Sequence, residues 1–203
     1  MNDLDRDIFN LTDEQPQPVP GSLLVAKPTV GDDVFARSVV LLIHHDEEGD
    51  EGSMGLIVNR PTNYTLAHVL PDMPHAAEIP LYLGGPVELE VMFFLHTLGN
   101  DVIPKSLEVA SGLYLGGDFE SVKRYLGSGE PIEGCIKFIV GYSGWGKNQL
   151  DHEIGRHDWA VLNDWSHLVV MGDDWDQMWR TMVSRFGERY RLWLNLPDDP
   201  QFN

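Results

Sequence analysis

Residues 141–153 read GYSGWGKNQLDHE, and they join a strand pattern to a helix pattern. The apolar run at 135–140 is typical of a buried strand, whereas residues 147–154 follow a helical pattern. Three glycines separate the two patterns and permit a sharp turn or the close approach of another group. Trp145, Gln149 and Glu153 recur every four residues, so they are predicted to share one helix face. The segment predicts either a ligand site or a structural corner.

Outside this segment the sequence predicts more strands than helices. Apolar runs bounded by turn residues predict strands at 23–26, 39–43, 56–58, 81–83, 91–95, 113–115, 136–140, 160–162 and 168–171. Helical patterns cover 64–70, 118–126 with Asp118 as N-cap, 147–154 and 175–186. The helices are scattered among the strands without regular alternation, which predicts an α+β fold.

The chain has 203 residues, of which 42% are hydrophobic, and it is long enough to bury one full core. Residues 1–20 are predicted to be a flexible acidic, proline-rich tail, because Pro16, Pro18 and Pro20 prevent a continuous helix or central strand. Residues 21–203 are predicted to form a single domain. An acidic segment at 46–53 links two apolar strands as an exposed hairpin tip.

Charge and composition exclude several classes of partner. The net charge of -18 arises from 32 acidic and 14 basic residues, and it repels polyanions, so direct DNA binding is not expected. The first residues lack the pattern of a secretory signal, and no apolar run is long enough to span a membrane. The single cysteine, Cys135, excludes an intrachain disulfide. These features predict a cytoplasmic protein with no membrane partner.

Ser143 invites comparison with a nucleophile elbow, since it lies on a turn between a strand and a helix. The pattern Gly-x-Ser-x-Gly has glycine at its fifth position, where this chain has Trp145. His152 or His157, with Asp158, would complete a triad only in a suitable geometry. Hydrolysis through Ser143 and a nearby histidine therefore stays an alternative.

A bound anion or metal ion is the other chemical possibility for this segment. Glycines that open a helix leave backbone N–H groups free for an anion, and Lys147 adds positive charge. No nucleotide-binding glycine pattern accompanies them. His152 and His157 are five residues apart, about 140° around a helix, so they do not form a zinc pair. We predict no metal ion and no cofactor.

Five segments together resemble the YqgE/AlgH family of bacterial proteins: 21–26, 35–40, 55–61, 83–87 and 141–153, the last ending near Trp159. The likeness runs from about residue 21 to residue 187. It implies one α+β domain in which a bifurcated mixed sheet, partly closed into a small barrel, is surrounded by helices. The family has no established activity. Its name reflects a proposed role in regulating alginate production, and its members are often labelled transcriptional regulators.

The resemblance also implies a set of motif residues. Two positions depart from the family pattern, because Asn148 stands where a glycine is usual and Asp151 where a glutamate is usual. Position 143 is often alanine in relatives, which weakens Ser143 as a nucleophile. The matching residues are interpreted as a ligand or partner surface rather than as catalytic groups: Asn59, Gly85, Pro86, Gly141, Gly144, Trp145, Gln149 and Glu153.

The function predicted from the sequence is that of a non-enzymatic cytoplasmic binding or regulatory protein. Its partner is an unidentified protein or small molecule, and any effect on transcription is indirect. The alternative is a hydrolase or anion-binding enzyme that uses Ser143 with a nearby histidine.

Overall fold

The computed structural model describes residues 15–28, 30, 34–46, 50–73 and 75–196. Its ten strands are β1 (Leu23–Ala26), β2 (Val39–His45), β3 (Ser53–Ile57), β4 (Pro61–Thr65), β5 (Pro80–Leu83), β6 (Val87–His96), β7 (Leu107–Ala110), β8 (Leu113–Leu115), β9 (Ile136–Trp145) and β10 (Trp159–Leu162). Its α-helices are α1 (Gly99–Val102), α2 (Phe119–Leu126), α3 (Gln149–Gly155), α4 (His167–Met171), α5 (Trp175–Arg185) and α6 (Arg191–Asn195). Two 3-10 turns lie at Leu66–His68 and Glu188–Tyr190.

The strands form one mixed sheet that divides at β9. Along the main path the order is β10-β1-β2-β3-β9-β6-β8-β7. The first part of β9 pairs in parallel with β5 at residues 138–140, and its last residues pair with β3 at residues 143–145. The strand β6 runs antiparallel to β9 on its other edge. This division confirms the predicted bifurcated α+β architecture, but the described sheet stays open, so the partial barrel is not closed.

Strands β4 and β7 and helices α1 and α6 were not predicted, and three of the predicted elements differ from the structure. Residues 168–171 were predicted as a strand and form α4, whose N-cap Ser166 accepts a hydrogen bond from Leu168 N. The predicted helix at 64–70 is instead the end of β4 followed by a 3-10 turn. The strand predicted at 136–140 continues to Trp145. In the first two cases sheet pairing and capping decide the structure of short apolar runs whose periodicity is ambiguous.

Three clusters of buried side chains stabilise the fold. One lies between the face of β1–β3 and helices α4 and α5, and contains Trp179 and Trp193. A second lies between α2 and strands β5, β6 and β9. The third lies on the other face of β1–β3, below α3, and contains Trp145 and Trp159. The strand β9 contributes to all three, so it positions groups on both faces of the sheet.

Residues 15–20, the last of the predicted tail, contact the domain. The side chain of Gln15 donates to Trp159 O at 3.0 Å and accepts from Val161 N at 2.8 Å, so it extends the hydrogen bonding of β10. Residues 1–14 lie outside the described part of the chain, so the boundary at residue 20 stays a prediction.

Candidate functional site

We call residues 141–153 together with Trp159 the corner. Its central group is the Glu153 carboxylate, whose Oε2 accepts from the indole Nε1 of Trp145 at 2.9 Å and of Trp159 at 2.8 Å. The two indole rings pack edge to face with their centroids 5.7 Å apart. Trp145 is the last residue of β9 rather than part of the helix, so the prediction that it shares a helix face with Gln149 and Glu153 is wrong. Tertiary contact brings it to Glu153 instead.

The turn between β9 and α3 is closed by further side-chain bonds. Gln149 donates to Glu153 Oε1 at 2.9 Å and accepts from Gly146 N at 3.0 Å. Asn148 lies just before the helix, not in its first turn, and has the left-handed φ of 58° that asparagine tolerates. Lys147 pairs with Asp50 of the β2–β3 hairpin at 2.5 Å. The polar groups of the corner are therefore bonded largely to one another.

Two of the motif glycines are required by the backbone. Gly85 has a φ of 151°, and a Cβ there would lie 2.2 Å from Tyr142 O. Gly141 has a φ of 68°, and a Cβ there would lie 2.6 Å from Gly85 O. The segments that contain Gly85 and Gly141 thus cross with their backbones in contact, and we call this the glycine crossing. Pro86 is exposed beside it. Gly144 does not have a positive φ, so the prediction that it permits an otherwise forbidden backbone angle is wrong.

Gly146 also lacks a positive φ, which corrects the same prediction for that position. The other motif residue, Asn59, lies apart from the corner. Its side chain accepts from Val39 N at 2.8 Å and donates to Arg37 O at 3.1 Å. Trp145 pairs with Ser53 at the start of β3, whereas Asn59 follows the end of that strand, about 20 Å away at the rise of an extended chain. The predicted residues therefore lie in three places: the corner, the glycine crossing, and the separate position of Asn59, which bonds to backbone groups of residues 37 and 39.

The structure gives Ser143 a structural partner. Its hydroxyl is fully buried and donates to Gly84 O at 3.0 Å. His152 is exposed, and His157 contacts Gln15. Within the described residues no histidine bonds to Ser143, so the geometry required by the hydrolase alternative is not formed there.

A serine–histidine contact that the sequence did not indicate lies at the edge of the corner. His45 Nδ1 is 2.8 Å from Ser53 Oγ, and His45 Nε2 is 3.7 Å from Asp151 Oδ1. His45 and Ser53 face each other across the β2–β3 pair. The contact joins the hairpin to α3.

A cavity of about 400 Å³ opens at the other end of β9, where Ile136 and Lys137 line it. Its buried residues form the floor and its exposed residues form the mouth. The residues that line it come from β5, the start of β9, the end of α4 and the segments before β5 and β9: His75, Glu78, Ile79, Pro80, Tyr82, Ile132, Glu133, Gly134, Ile136, Lys137, Met171 and Asp173. A cavity of this size is in the range of small-molecule sites.

Lys137 is the unusual residue of the floor. Its side chain is 5% exposed, and its Nζ donates to Val170 O at 2.5 Å and to Val58 O at 3.3 Å. The same atom lies 4.3 Å from the centre of the Tyr82 ring, a cation–π distance. Burial lowers the pKa of Lys137 to about 8, and the negative charge of Asp173 opposes that shift. At neutral pH the floor is therefore positively charged.

Tyr82 and the carboxylates complete the polar groups of the cavity. Tyr82 is 4% exposed, and its hydroxyl forms no hydrogen bond with the described residues. Burial, followed by the charge of Asp173, raises the pKa of Tyr82. At the mouth a hydrogen bond with Asp173, followed by its charge, raises the pKa of Glu133. Neither of these two carboxyl groups has a salt-bridge partner among the described residues.

Sequence reasoning missed this cavity, although one signal was present. Lys137 interrupts the apolar run 136–140, and by strand alternation it shares a face with Ile139, a residue of the first core cluster. A lysine on a buried face needs partners for its charge. Those partners, Val58 O and Val170 O, come from distant parts of the chain.

Comparison with known proteins gives the family. A family model described as AlgH-like matches residues 23–191. The chain belongs to the AlgH-like family. It is 41% identical over 201 residues to a UPF0301 protein of Parabacteroides distasonis, with 98% of each chain covered. It is 38% identical over 200 residues to a UPF0301 protein of Bacteroides fragilis, with 98% of this chain and 99% of the other covered.

Solved structures of relatives have the same fold. The solution structure of the AlgH protein from Pseudomonas aeruginosa matches with a TM-score of 0.68 and 26% identity, over 91% of this chain and 98% of that one. A crystal structure of a protein from Corynebacterium diphtheriae matches with a TM-score of 0.71 and 24% identity, over 92% and 96% of the two chains. None of the described helices has the length and apolar character needed to cross a bilayer.

Proposed function

We propose that this AlgH-like protein is a non-enzymatic binding protein whose ligand site is the cavity at Lys137 and Tyr82. The observation that carries the proposal is a cavity of about 400 Å³ lined by Tyr82, whose hydroxyl has no hydrogen-bond partner among the described residues, and by Lys137, whose buried ammonium group lies 4.3 Å from the centre of the Tyr82 ring. Convergent polar groups with displaced pKa values in a concave site are typical of ligand-binding centres.

The contacts of Lys137 favour binding over catalysis. Two of its N–H groups are directed to carbonyl oxygens and its charge lies against the Tyr82 ring. A lysine that acts as a base or nucleophile needs a free lone pair near the reacting atom. With a pKa of about 8 the group is mostly protonated at pH 7, so it supplies a fixed charge.

We further propose that the protein acts in the cytoplasm as a regulatory protein, with an indirect effect on transcription. The net charge of -18 opposes contact with phosphates, so gel-shift titrations at physiological salt are expected to show no specific complex. A sequence-selective complex of submicromolar affinity with a steep salt dependence would contradict this.

The corner is proposed as a second surface, for a protein partner. Gly144, Gly146 and Gln149 are exposed there, next to a rigid pair of indoles. Exposed glycines let a partner's backbone approach closely. The eight motif residues predicted from the sequence stay candidates on this basis.

Ligand-observed NMR with a fragment library tests the cavity proposal. Hits on the wild-type protein are expected to lose their signal with Ile132→Trp, which fills the cavity, because Ile132 is a half-buried lining residue. Ile154→Trp is the matched control, since Ile154 is an equally half-buried isoleucine on α3. Loss of the hits with Ile154→Trp instead, or an absence of hits, would contradict the proposal.

The hydrolase alternative has its own test. Ser143→Ala removes one buried hydrogen bond to Gly84 O, so we expect a cost of about 1 kcal/mol in stability and no loss of cellular function. Labelling of Ser143 by a serine-directed phosphonate, or loss of function in a variant that stays folded, would support the hydrolase instead.

A further inference from the structure

We propose that the cavity takes a zwitterionic small molecule, with its carboxylate on the floor at Tyr82 and Lys137 and its ammonium group at the mouth. The inference rests on the proposed function, since it names the ligand class of the same site. It is carried by the opposite charges at the two ends of the cavity.

The floor is built to receive an anionic oxygen. The Tyr82 hydroxyl lines the cavity, has no hydrogen-bond partner among the described residues and is free to donate to a ligand oxygen. The Lys137 ammonium lies over the same ring, so its positive charge acts on that oxygen at short range. A carboxylate combines the acceptor that the phenol lacks with the negative charge that the ammonium favours.

The mouth is built to receive a cation. Glu133 and Asp173 both line the cavity and are exposed, and they lie near enough that the charge of Asp173 raises the pKa of Glu133. Two carboxyl groups so close repel each other when both are ionised, and a cation between them relieves the repulsion. Glu78 adds a third carboxylate at the mouth, where its Oε2 lies 3.7 Å from Nδ1 of His75. The basic groups on the lining are Lys137, which is on the floor, and His75.

The rest of the buried lining is apolar. Ile79 and Ile136 are each 5% exposed and Met171 is 2% exposed, and all three line the cavity. A ligand that spans from floor to mouth is therefore expected to carry methylene groups between its charges. An inorganic anion would satisfy only the floor, and a simple amine only the mouth.

A series of simple probes tests this ligand class. Glycine, γ-aminobutyrate and ε-aminocaproate carry both charges at increasing separations, whereas hexanoate carries only the carboxylate and n-hexylamine only the ammonium. Each is titrated into the full chain labelled with carbon-13 at the methionine methyls, where Met171 reports on the cavity. We expect one of the two longer amino acids to bind at least about tenfold more tightly than either one-ended probe, as expected for one added charged contact.

Two conservative variants separate the ends. Tyr82→Phe is expected to weaken hexanoate and the amino acid but leave n-hexylamine unchanged. Glu133→Gln is expected to weaken n-hexylamine and the amino acid but leave hexanoate unchanged. Tyr64→Phe and Glu120→Gln, at exposed positions, are the matched controls and should change neither.

The outcomes distinguish this inference from the proposed function. If other fragments move the Met171 signal while the amino acids bind no better than the one-ended probes, the ligand class is wrong and the cavity proposal stands. If neither these probes nor any fragment moves Met171, both are wrong. If the amino acid binds but neither Tyr82→Phe nor Glu133→Gln weakens it, the assigned orientation and the inference are overturned.

Discussion

The corner and the cavity lie at opposite ends of β9 and differ in how their polar groups are satisfied. At the corner one carboxylate, Glu153, accepts from two indoles and one amide. In the cavity the hydroxyl of Tyr82 has no partner among the described residues, and Glu133 has only the like-charged Asp173. Polar groups that are bonded to each other stabilise a fold, whereas polar groups that line a cavity without a protein partner can bind a ligand. This difference supports our proposals that the corner chiefly stabilises the fold and that the cavity binds the ligand.

The largest expected effect concerns the glycine crossing under the corner. Gly85→Ala should destabilise the protein by about 3 kcal/mol or more, because its Cβ would lie 2.2 Å from Tyr142 O at a φ of 151°. Gly129→Ala is the control, since Gly129 also has a positive φ but no atom within 4 Å of its Cβ. Urea unfolding measures both. Equal costs for the two variants would show that the crossing itself is not a constraint.

Lys137 gives the next largest effect, and it depends on pH. In the unfolded chain its pKa is near 10.5 and in the folded protein about 8, so the unfolded state binds the proton more tightly. Wild-type stability attributable to this group is therefore lost as pH falls from about 10.5 to about 8 and recovered as pH rises. The contribution of Lys137 to the free energy of unfolding changes by about 3 kcal/mol over this pH range.

The variant Lys137→Met lacks this titration and leaves two carbonyls without a donor. It should be less stable than wild type, by a margin that widens between pH 8 and pH 10 in urea unfolding. Lys123→Met, at an exposed position, should show no such widening. If the difference in unfolding free energy between wild type and Lys137→Met becomes smaller as pH rises, the interpretation of Lys137 as a buried charge is contradicted. The ionisable groups that line the same cavity are His75, Glu78, Tyr82, Glu133 and Asp173.

The corner network gives a smaller effect. Glu153→Ala removes the acceptor of both indole N–H groups, and we expect a loss of about 2 kcal/mol in unfolding free energy. Glu120→Ala, at an exposed helical glutamate, should cost less than about 1 kcal/mol. Ligand binding at the cavity should be unchanged in both variants. A Glu153→Ala protein that melts like the parent would mean that the corner is not a stabilising unit.

The smallest effect is expected at the exposed part of the corner. Gln149→Ala should cost under about 1 kcal/mol in thermal melts, since its side chain is exposed. If the corner binds a protein partner, the same variant should reduce recovery of that partner from native lysate relative to wild type. An unchanged set of recovered proteins would argue against a partner surface that includes Gln149.

The sequence predicted those elements whose signals are local. Helix α2 begins after Asp118, whose carboxylate accepts from Ser121 N as predicted for an N-cap. Asn148, which stands where a glycine is usual in the family, has a left-handed φ of 58° that asparagine tolerates. By contrast, residues 168–171 read as a strand from their branched apolar side chains and form a helix capped by Ser166. For so short an apolar run the capping interaction outweighs β-propensity.

The candidate sites were predictable to different degrees for the same reason. The corner is mostly a contiguous segment with glycines and a tryptophan, so its sequence is recognisable, although the hydrogen bonds that Trp145 and Trp159 each donate to Glu153 are tertiary. The cavity is assembled from three separate segments, 75–82, 132–137 and 171–173, and its charged floor exists only when Val58 and Val170 reach Lys137. The local sequence signal for the cavity was a single residue, Lys137, within an apolar strand.

The central claim, that ligands bind at the cavity and not at the corner, is tested most directly by the methionine-methyl spectrum of the whole chain. Met171 lines the cavity, and Met54 is the Cα partner of Gly144 at the corner. We predict that small molecules found to bind the protein shift the Met171 signal and leave the Met54 signal in place. Ligands that shift Met54 while Met171 stays fixed would contradict the account.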